Sequence, residues 1–142
     1  MQEPPEQIYV DAQTLLVNSV KLARMVWANR FFPTVLVSVW RGGTVPGIAV
    51  DEFFQRHGQC LHHTVIKAQS YDGMERGKIG VELEGLEDIA VDVEPGDRLL
   101  IIDDVFDTGH TMAAIMNEIT SITGAGAPEC RSAVVYYKPA NN

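Results

Sequence analysis

A chain of 142 residues in which 46% are hydrophobic and 21% charged has the size and balance of one globular domain with one core, and no apolar run approaches the ~20 residues that span a bilayer. The net charge of −8 argues against a nucleic-acid partner, because phosphate backbones are held chiefly by clustered Lys and Arg. The polar start Met1-Gln2-Glu3-Pro4-Pro5-Glu6 lacks the basic and apolar regions of a signal peptide, and Cys60 and Cys130 form neither a disulfide scaffold nor a metal clip, so a cytoplasmic protein without a membrane partner is expected.

Residues 1–9 are polar and Pro-rich and read as an irregular arm. Asp11 suits the N-cap of a helix over 12–29, whose apolar positions Leu16, Val20, Ala23 and Trp27 recur at three- and four-residue steps. Pro33 ends the connection, Val35–Val39 is a short β-branched strand, and a helix with Pro46 in its first turn should stop near Gly58. Leu61–Ile66 is the next strand. The polar stretch from about Ala68 to Gly85, punctuated by Gly73, Gly77, Gly80 and Gly85, is long for a connection in a compact domain, where such segments are usually functional or partly paired as a hairpin, and reads as a flexible lid. Ile89–Val93 and Arg98–Ile102 flank a Pro95-Gly96 turn. The aliphatic run Leu99-Leu100-Ile101-Ile102 suits a strand buried on both faces. Residues 103–111 then read as a strand-to-helix loop, the Ala/Met/Ile-rich residues after Thr111 as a helix ending near Gly124, and Ser132–Tyr137 as a last strand. Strands alternating with helices predict a mainly parallel sheet with right-handed crossovers, a single α/β domain over 1–142.

The polar segment after the buried run concentrates the chemistry. In open α/β sheets ligands bind at the carboxyl edge, and free N–H groups at the next helix start favour an anion. A single acid is enough to cap a helix, whereas Asp103, Asp104 and Asp107 repel one another unless a cation or a hydroxyl-rich ligand compensates. Thr108, Gly109, His110 and Thr111 offer backbone N–H groups and hydroxyls to a phosphate, with Gly109 allowing close approach. Arg41-Gly42-Gly43 also follows a buried strand, where amides can approach pyrophosphate while the arginine balances charge. Three carboxylates beside an anion cradle suggest a ligand with both phosphate and hydroxyl or metal-bound parts. Ser70 and Tyr71 by themselves are strand-end residues, and Lys138 after the last strand is either an ammonium aimed at the same edge or an exposed Lys before a turn. His57, His62 and His63 lack metal-ligand spacing and read as surface or strand histidines.

Hydrophobic run, acid pair, spacer and Asp107-Thr108-Gly109-His110-Thr111 occur in the order that resembles the phosphoribosyl-diphosphate signature of the type I phosphoribosyltransferase family. Val37–Gly47 is similar to that family's pyrophosphate loop and Gln69-Ser70-Tyr71-Asp72 to the start of its mobile catalytic loop. With Lys138-Pro139 the set is most similar to the purine branch, the xanthine-guanine and hypoxanthine phosphoribosyltransferases. The resemblance implies the type I phosphoribosyltransferase fold, a Rossmann-like, mostly parallel sheet of about five strands flanked by helices. It implies transfer of ribose 5-phosphate from phosphoribosyl diphosphate to a 6-oxopurine (guanine, xanthine or hypoxanthine) in purine salvage, with release of pyrophosphate.

By the same resemblance, Asp103 and Asp104 serve the ribose hydroxyls, directly or through water and Mg²⁺, and Asp107 accepts the proton at purine N7. Residues Thr108, Gly109, His110 and Thr111 hold the 5′-phosphate, and Arg41, Gly42 and Gly43 the pyrophosphate. Ser70 and Tyr71 lie on the loop that closes over the donor, with Arg76 and Lys78 adding charge, and Lys138 donates to the 6-oxo group. A cis peptide without proline is implied at Trp40-Arg41, and a homo-oligomer, dimer or tetramer, for the assembly. The family continues after its Lys-Pro into a hood with a purine-stacking aromatic and a Mg²⁺-binding Asp; Ala140-Asn141-Asn142 stands here instead, so a missing hood and an incomplete base site are expected.

Other readings fit less well. An NTPase needs Gly-x-x-x-x-Gly-Lys-Ser/Thr, which is absent. A phosphoacceptor receiver domain combines an acid pair, a Thr and a Lys-Pro, but its acids come near the start; between Asp104 and Lys138 there is room for about one strand–helix–strand unit. The alternative from another functional class is a non-catalytic phosphoribosyl-diphosphate-binding regulator on the same fold.

Overall fold

The computed structural model, which describes residues 9–72 and 79–138, runs α1 (Ala12–Ala28), β1 (Val35–Trp40), α2 (Thr44–Arg56), β2 (His62–Asp72), β3 (Ile79–Glu84), α3 (Leu86–Asp92), β4 (Arg98–Phe106), α4 (His110–Thr123) and β5 (Glu129–Tyr137). The five strands form one sheet in the order β3-β2-β1-β4-β5. All neighbours pair in parallel except β2 and β3, which are antiparallel. Helices cover both faces, as expected.

Alternation along β4 shows why the sheet needs two layers of helix. Leu99 and Ile101 enter a core with α3 and α4 residues Ile89, Met112, Ile115 and Ile119, whereas Leu100 and Ile102 enter a second core with Ala23, Val26, Val50 and Phe54 of α1 and α2. Each of the four is at most 2% exposed. At about 1.5–3 kcal/mol per buried aliphatic side chain, an upper bound for an extended reference chain, this run is what holds β4 in the middle of the sheet.

Asp11 caps α1 as expected, its carboxylate accepting the Thr14 N–H at 2.7 Å. The buried face of the helix is set differently from the apolar spacing: Ser19, Ala23 and Val26 are buried, while Leu16 and Val20 remain 50% and 39% exposed. Small side chains let α1 approach α2, and the buried Ser19 hydroxyl is satisfied by donating to Leu15 O at 2.6 Å.

Two further expectations are corrected. Residues 68–72 and 79–84, expected within a flexible loop, form the arms of a β2–β3 hairpin paired from Lys67↔Glu84 to Asp72↔Ile79; Arg76, Lys78 and the rest of 73–78 lie outside the described residues. The Tyr71 ring covers Gly80 across the ladder, where a Cβ would overlap it, so a glycine that weakens a lone strand is sheltered here. Ile89, which flanks the Pro95-Gly96 turn in the sequence reading, belongs to the short helix α3. Gly85 opens it at φ +94°, Glu87 and Asp88 sit in its first turn, where the helix dipole favours acids, and Leu86 and Ile89 are buried one turn apart while Val91 is 82% exposed.

Among the described residues no helix is long and apolar enough to cross a membrane. Residues 1–8 of the expected arm and Pro139 to Asn142 lie outside the described residues.

Candidate active site

β1 is followed by a crossover through α2 to β2 on one side, and its other neighbour β4 is followed by a crossover through α4 to β5 on the opposite side. The chain therefore leaves β1 and β4 in diverging directions, which opens a crevice at their carboxyl ends. Residues 41–43 and 107–109 are the connections at that crevice. The functional segments singled out in the sequence thus arrive from the two central strands.

The acid pair is not in a loop. β4 continues through Asp103 and Asp104 to Phe106 because β5 keeps pairing with it, at Asp103↔Val134, Val105↔Tyr136 and Phe106↔Tyr137. Successive strand residues leave from opposite faces, yet the side chain of Asp103 turns back, its Oδ1 accepting the Asp104 N–H at 2.8 Å, while Asp104 Oδ1 accepts the Val105 N–H at 2.8 Å. Burial, reinforced by the neighbouring Asp104 carboxyl, pushes the Asp103 carboxyl up to about 7. Adjacent carboxyls, one of them resisting ionisation, make a pair that would gain from a cation.

On its other side Asp104 meets the β1 connection. A Cβ on Gly42 would overlap the Asp104 carboxylate, and one on Gly43 would overlap Ile102 O and lie 2.8 Å from Val39 O. Only glycine lets the 41–43 segment lie this close to β4. Gly43 N–H donates to Val39 O at 2.7 Å, and both the N–H and the hydroxyl of Thr44 donate to Arg41 O, at 3.2 and 2.6 Å, which folds the connection tightly into α2. The Trp40-Arg41 peptide is cis, as the resemblance implied.

Beyond Phe106, Asp107 and Thr108 lead to Gly109, whose φ of +84° starts α4 without a side-chain cap. A Cβ there would stand 2.7 Å from the Phe106 ring. Asp103, Phe106, Asp107, Thr108, Gly109 and Thr111 share a cavity of about 70 Å³. His110, an exposed first residue of α4, does not line it, though its N–H donates to Thr108 Oγ1 at 3.3 Å. Lys138 directly follows β5; its N–H donates to Phe106 O at 3.0 Å and its ammonium lies 3.8 Å from Asp107 Oδ2. Lys138 and Asp107, 31 residues apart in sequence, thus meet at the same edge.

Ser70 and Tyr71 are not brought to the acids. They sit on β2 beyond Lys67, the partner of the last β1 residue Trp40, and both are exposed. Among residues absent from the sequence reading, Val105 and Phe106 line the cavity, and Phe106 packs on Tyr137 with ring centroids 5.6 Å apart. The matching apolar pairs Val105-Phe106 and Tyr136-Tyr137, each just before a polar turn, were the available signal. Among the described residues no group of three or more His, Cys, Asp and Glu could hold a metal ion, so Asp103 and Asp104 supply part of a coordination shell at most.

In open α/β sheets ligands bind in the crevice at the switch point, and here that crevice is formed by an acid-bearing strand and a glycine-rich connection. The family model for the phosphoribosyl transferase domain matches residues 9–142, and the chain belongs to that family. Its fold superposes on a purine phosphoribosyltransferase from Pyrococcus horikoshii with a TM-score of 0.69 and 26% identity, over 93% of this chain and 78% of that one. The xanthine-guanine-hypoxanthine phosphoribosyltransferase of Helicobacter pylori shares the fold at a TM-score of 0.67 and 21% identity, over 93% and 79%. A protein of Halorubrum lacusprofundi described as HGPRTase-like is 56% identical over 34 residues, which are 24% of this chain and 18% of that protein.

Proposed function

We propose that the protein transfers ribose 5-phosphate from phosphoribosyl diphosphate to a 6-oxopurine, releasing pyrophosphate. The observation that supports this most is the seating of Gly42 on the Asp104 carboxylate, which puts a pyrophosphate-type loop and the acid pair in one crevice. Family membership and the likeness to purine phosphoribosyltransferases support the same reading.

In the reaction the bond from the ribose anomeric carbon to pyrophosphate breaks and a bond to a purine nitrogen forms, with positive charge developing on the ribose. Asp103 and Asp104 face that charge from the ribose side. Thr108, Gly109 and Thr111 hold the 5′-phosphate in the cavity at the start of α4, and Arg41 and the 42–43 amides hold pyrophosphate. Asp107 takes the proton from the base, and Lys138, within 3.8 Å of Asp107 Oδ2, donates to the 6-oxo oxygen.

Residues Asp103 and Asp104 fit a Mg²⁺ that arrives with the donor, since two carboxylates with phosphate and water oxygens complete such a shell. When bound, Mg²⁺ neutralises the pyrophosphate leaving group. The test is incubation with Mg²⁺, donor and guanine, xanthine or hypoxanthine in turn, with chromatographic detection of nucleotide. Nucleotide with any base upholds the transferase; donor binding without product favours a regulator on the same fold or an incomplete base site. The proposed homo-oligomer is read from light scattering of the same sample.

A further inference from the structure

One polar cluster lies outside this chemistry. In β1 every residue from Val35 to Val39 is buried, and Ser38 alone among them is polar, at 0% exposure. Its Oγ lies 2.7 Å from His63 Nε2 on β2, and His63 Nδ1 lies 3.0 Å from Asp51 Oδ2 on α2. The second Asp51 oxygen accepts from Gln55 Nε2 at 3.3 Å. A carboxylate can only accept, so Nδ1 carries a proton; in the neutral imidazole Nε2 is then the acceptor and the Ser38 hydroxyl donates to it.

The register explains the meeting. Ser38 and His63 belong to neighbouring parallel strands, with Leu36 opposite His63 and Ser38 opposite Val65, so both side chains emerge on the α2 face. Gly47 and Asp51 are one turn apart on α2 and share the face turned to the sheet. A Cβ on Gly47 would overlap Ser38 Oγ and stand 3.2 Å from His63 Nε2.

Serine, histidine and aspartate in this order have the connectivity of an acyl-transfer triad. The arrangement cannot serve as one, because Ser38 is wholly buried with the α2 backbone closed over its oxygen, and no acyl carbon can reach it. What the cluster does join is the two ends of the β1–α2 connection: Ser38 stands two residues before Trp40, Gly47 four residues after Gly43, and His63 and Asp51 tie α2 to the neighbouring strand.

We propose that Ser38, His63 and Asp51 are positioning residues, a hydrogen-bonded brace that holds the Arg41–Gly43 loop in its donor-receiving shape. This rests on the reading that the loop takes the pyrophosphate of the donor. Apolar packing alone would hold α2 on the sheet without fixing its rotation or its height above β1. The bond from Asp51 on α2 to His63 on β2, relayed to Ser38 on β1 against which Gly47 packs, fixes both, and so fixes where Gly42 and Gly43 point.

The experiment compares wild type with Ser38→Ala and Asp51→Ala, and with Asp51→Asn as the conservative variant that keeps an acceptor for Nδ1–H. Two quantities are read: amide hydrogen exchange by NMR at Gly43 and Gly47, whose N–H groups bond Val39 O and Gly43 O, with Ala113 of α4 as internal control, and affinity for Mg²⁺–phosphoribosyl diphosphate by calorimetry. Exchange at Gly43 and Gly47 is expected to be at least tenfold faster in Ser38→Ala and Asp51→Ala with Ala113 unchanged, donor affinity about tenfold weaker, and both largely restored in Asp51→Asn. Unchanged loop exchange overturns the brace, as does faster exchange with wild-type donor affinity, which makes the cluster merely structural. Failure of the functional reading shows separately, in wild type itself, as absence of donor binding before any variant is compared.

Discussion

Two strands outrun β1 at the carboxyl edge of the sheet, and they do so for different ends. β4 carries Asp103 to Phe106 past Ile102, its last partnered position with β1, supported by β5; β2 carries Ala68 to Asp72 past Lys67, supported by β3. The β4 overhang is half-buried, and there two carboxyls and two glycine-lined approaches crowd into one crevice. The β2 overhang is exposed at Gln69, Ser70 and Tyr71, with Ala68 packed against the core and Tyr71 lying over Gly80. Equal backbone support therefore brings carboxyls into interaction only in the half-buried overhang, while the other presents uncharged, exposed side chains at 69–71.

The largest effect is expected one residue past the β4 overhang, at the exposed Asp107 that the proposed function makes the base. Asp107→Asn keeps the shape of the cavity and removes the proton acceptor, so turnover should fall by about 10²–10⁴-fold while donor affinity changes little; unchanged turnover in steady-state assays removes the base role. Next in size is Gly43→Ala, whose methyl would be driven into Ile102 O and Val39 O, backbone atoms that cannot turn aside. A cost of about 1–3 kcal/mol is expected, read as a lowered denaturation midpoint and accompanied by weaker donor binding.

A smaller effect distinguishes the half-buried acid through pH. The native Asp103 carboxyl keeps its proton to about 7, whereas an unfolded Asp releases it near ~3.9. At this group the native state therefore binds more protons between those values, and the stability Asp103 contributes, full below about pH 4, is lost as pH rises through about 7. Chemical denaturation in a chelating buffer should show this slope, well under the single-proton limit of about 1.4 kcal/mol per pH unit because the group is only part-buried, and Asp103→Asn should flatten it. The exposed arm should respond least: Tyr71→Ala uncovers Gly80 and is expected to cost about 0.2–1 kcal/mol, and a larger loss would erase the difference drawn between the two overhangs.

Much of the fold was legible along the chain. Apolar spacing located α1, Pro46 and Gly58 bounded α2, the Ala/Met/Ile-rich residues after Thr111 marked α4, and β-branched or aliphatic runs marked the central strands. Ile89–Val93 was read only as flanking the Pro95-Gly96 turn, and a short helix opened by Gly85 there buries Leu86 and Ile89. The Gly-punctuated 68–85 stretch read as a lid because strand pairing depends on a partner that local composition does not reveal. Asp103 and Asp104 were read as loop residues for the same reason: β5, distant in sequence, extends β4 beneath them.

The residue types at the site, their order and their place after two buried runs were determined by the sequence alone, because an aliphatic run must be buried and a polar segment after it must emerge at an edge. Which of those residues touch was decided only by the tertiary structure. Gly42 on Asp104, Lys138 beside Asp107, and Ser38 joined through His63 to Asp51 are contacts between different elements, fixed by strand order and register. Local propensity acts over a few residues and cannot encode a distance across the sheet.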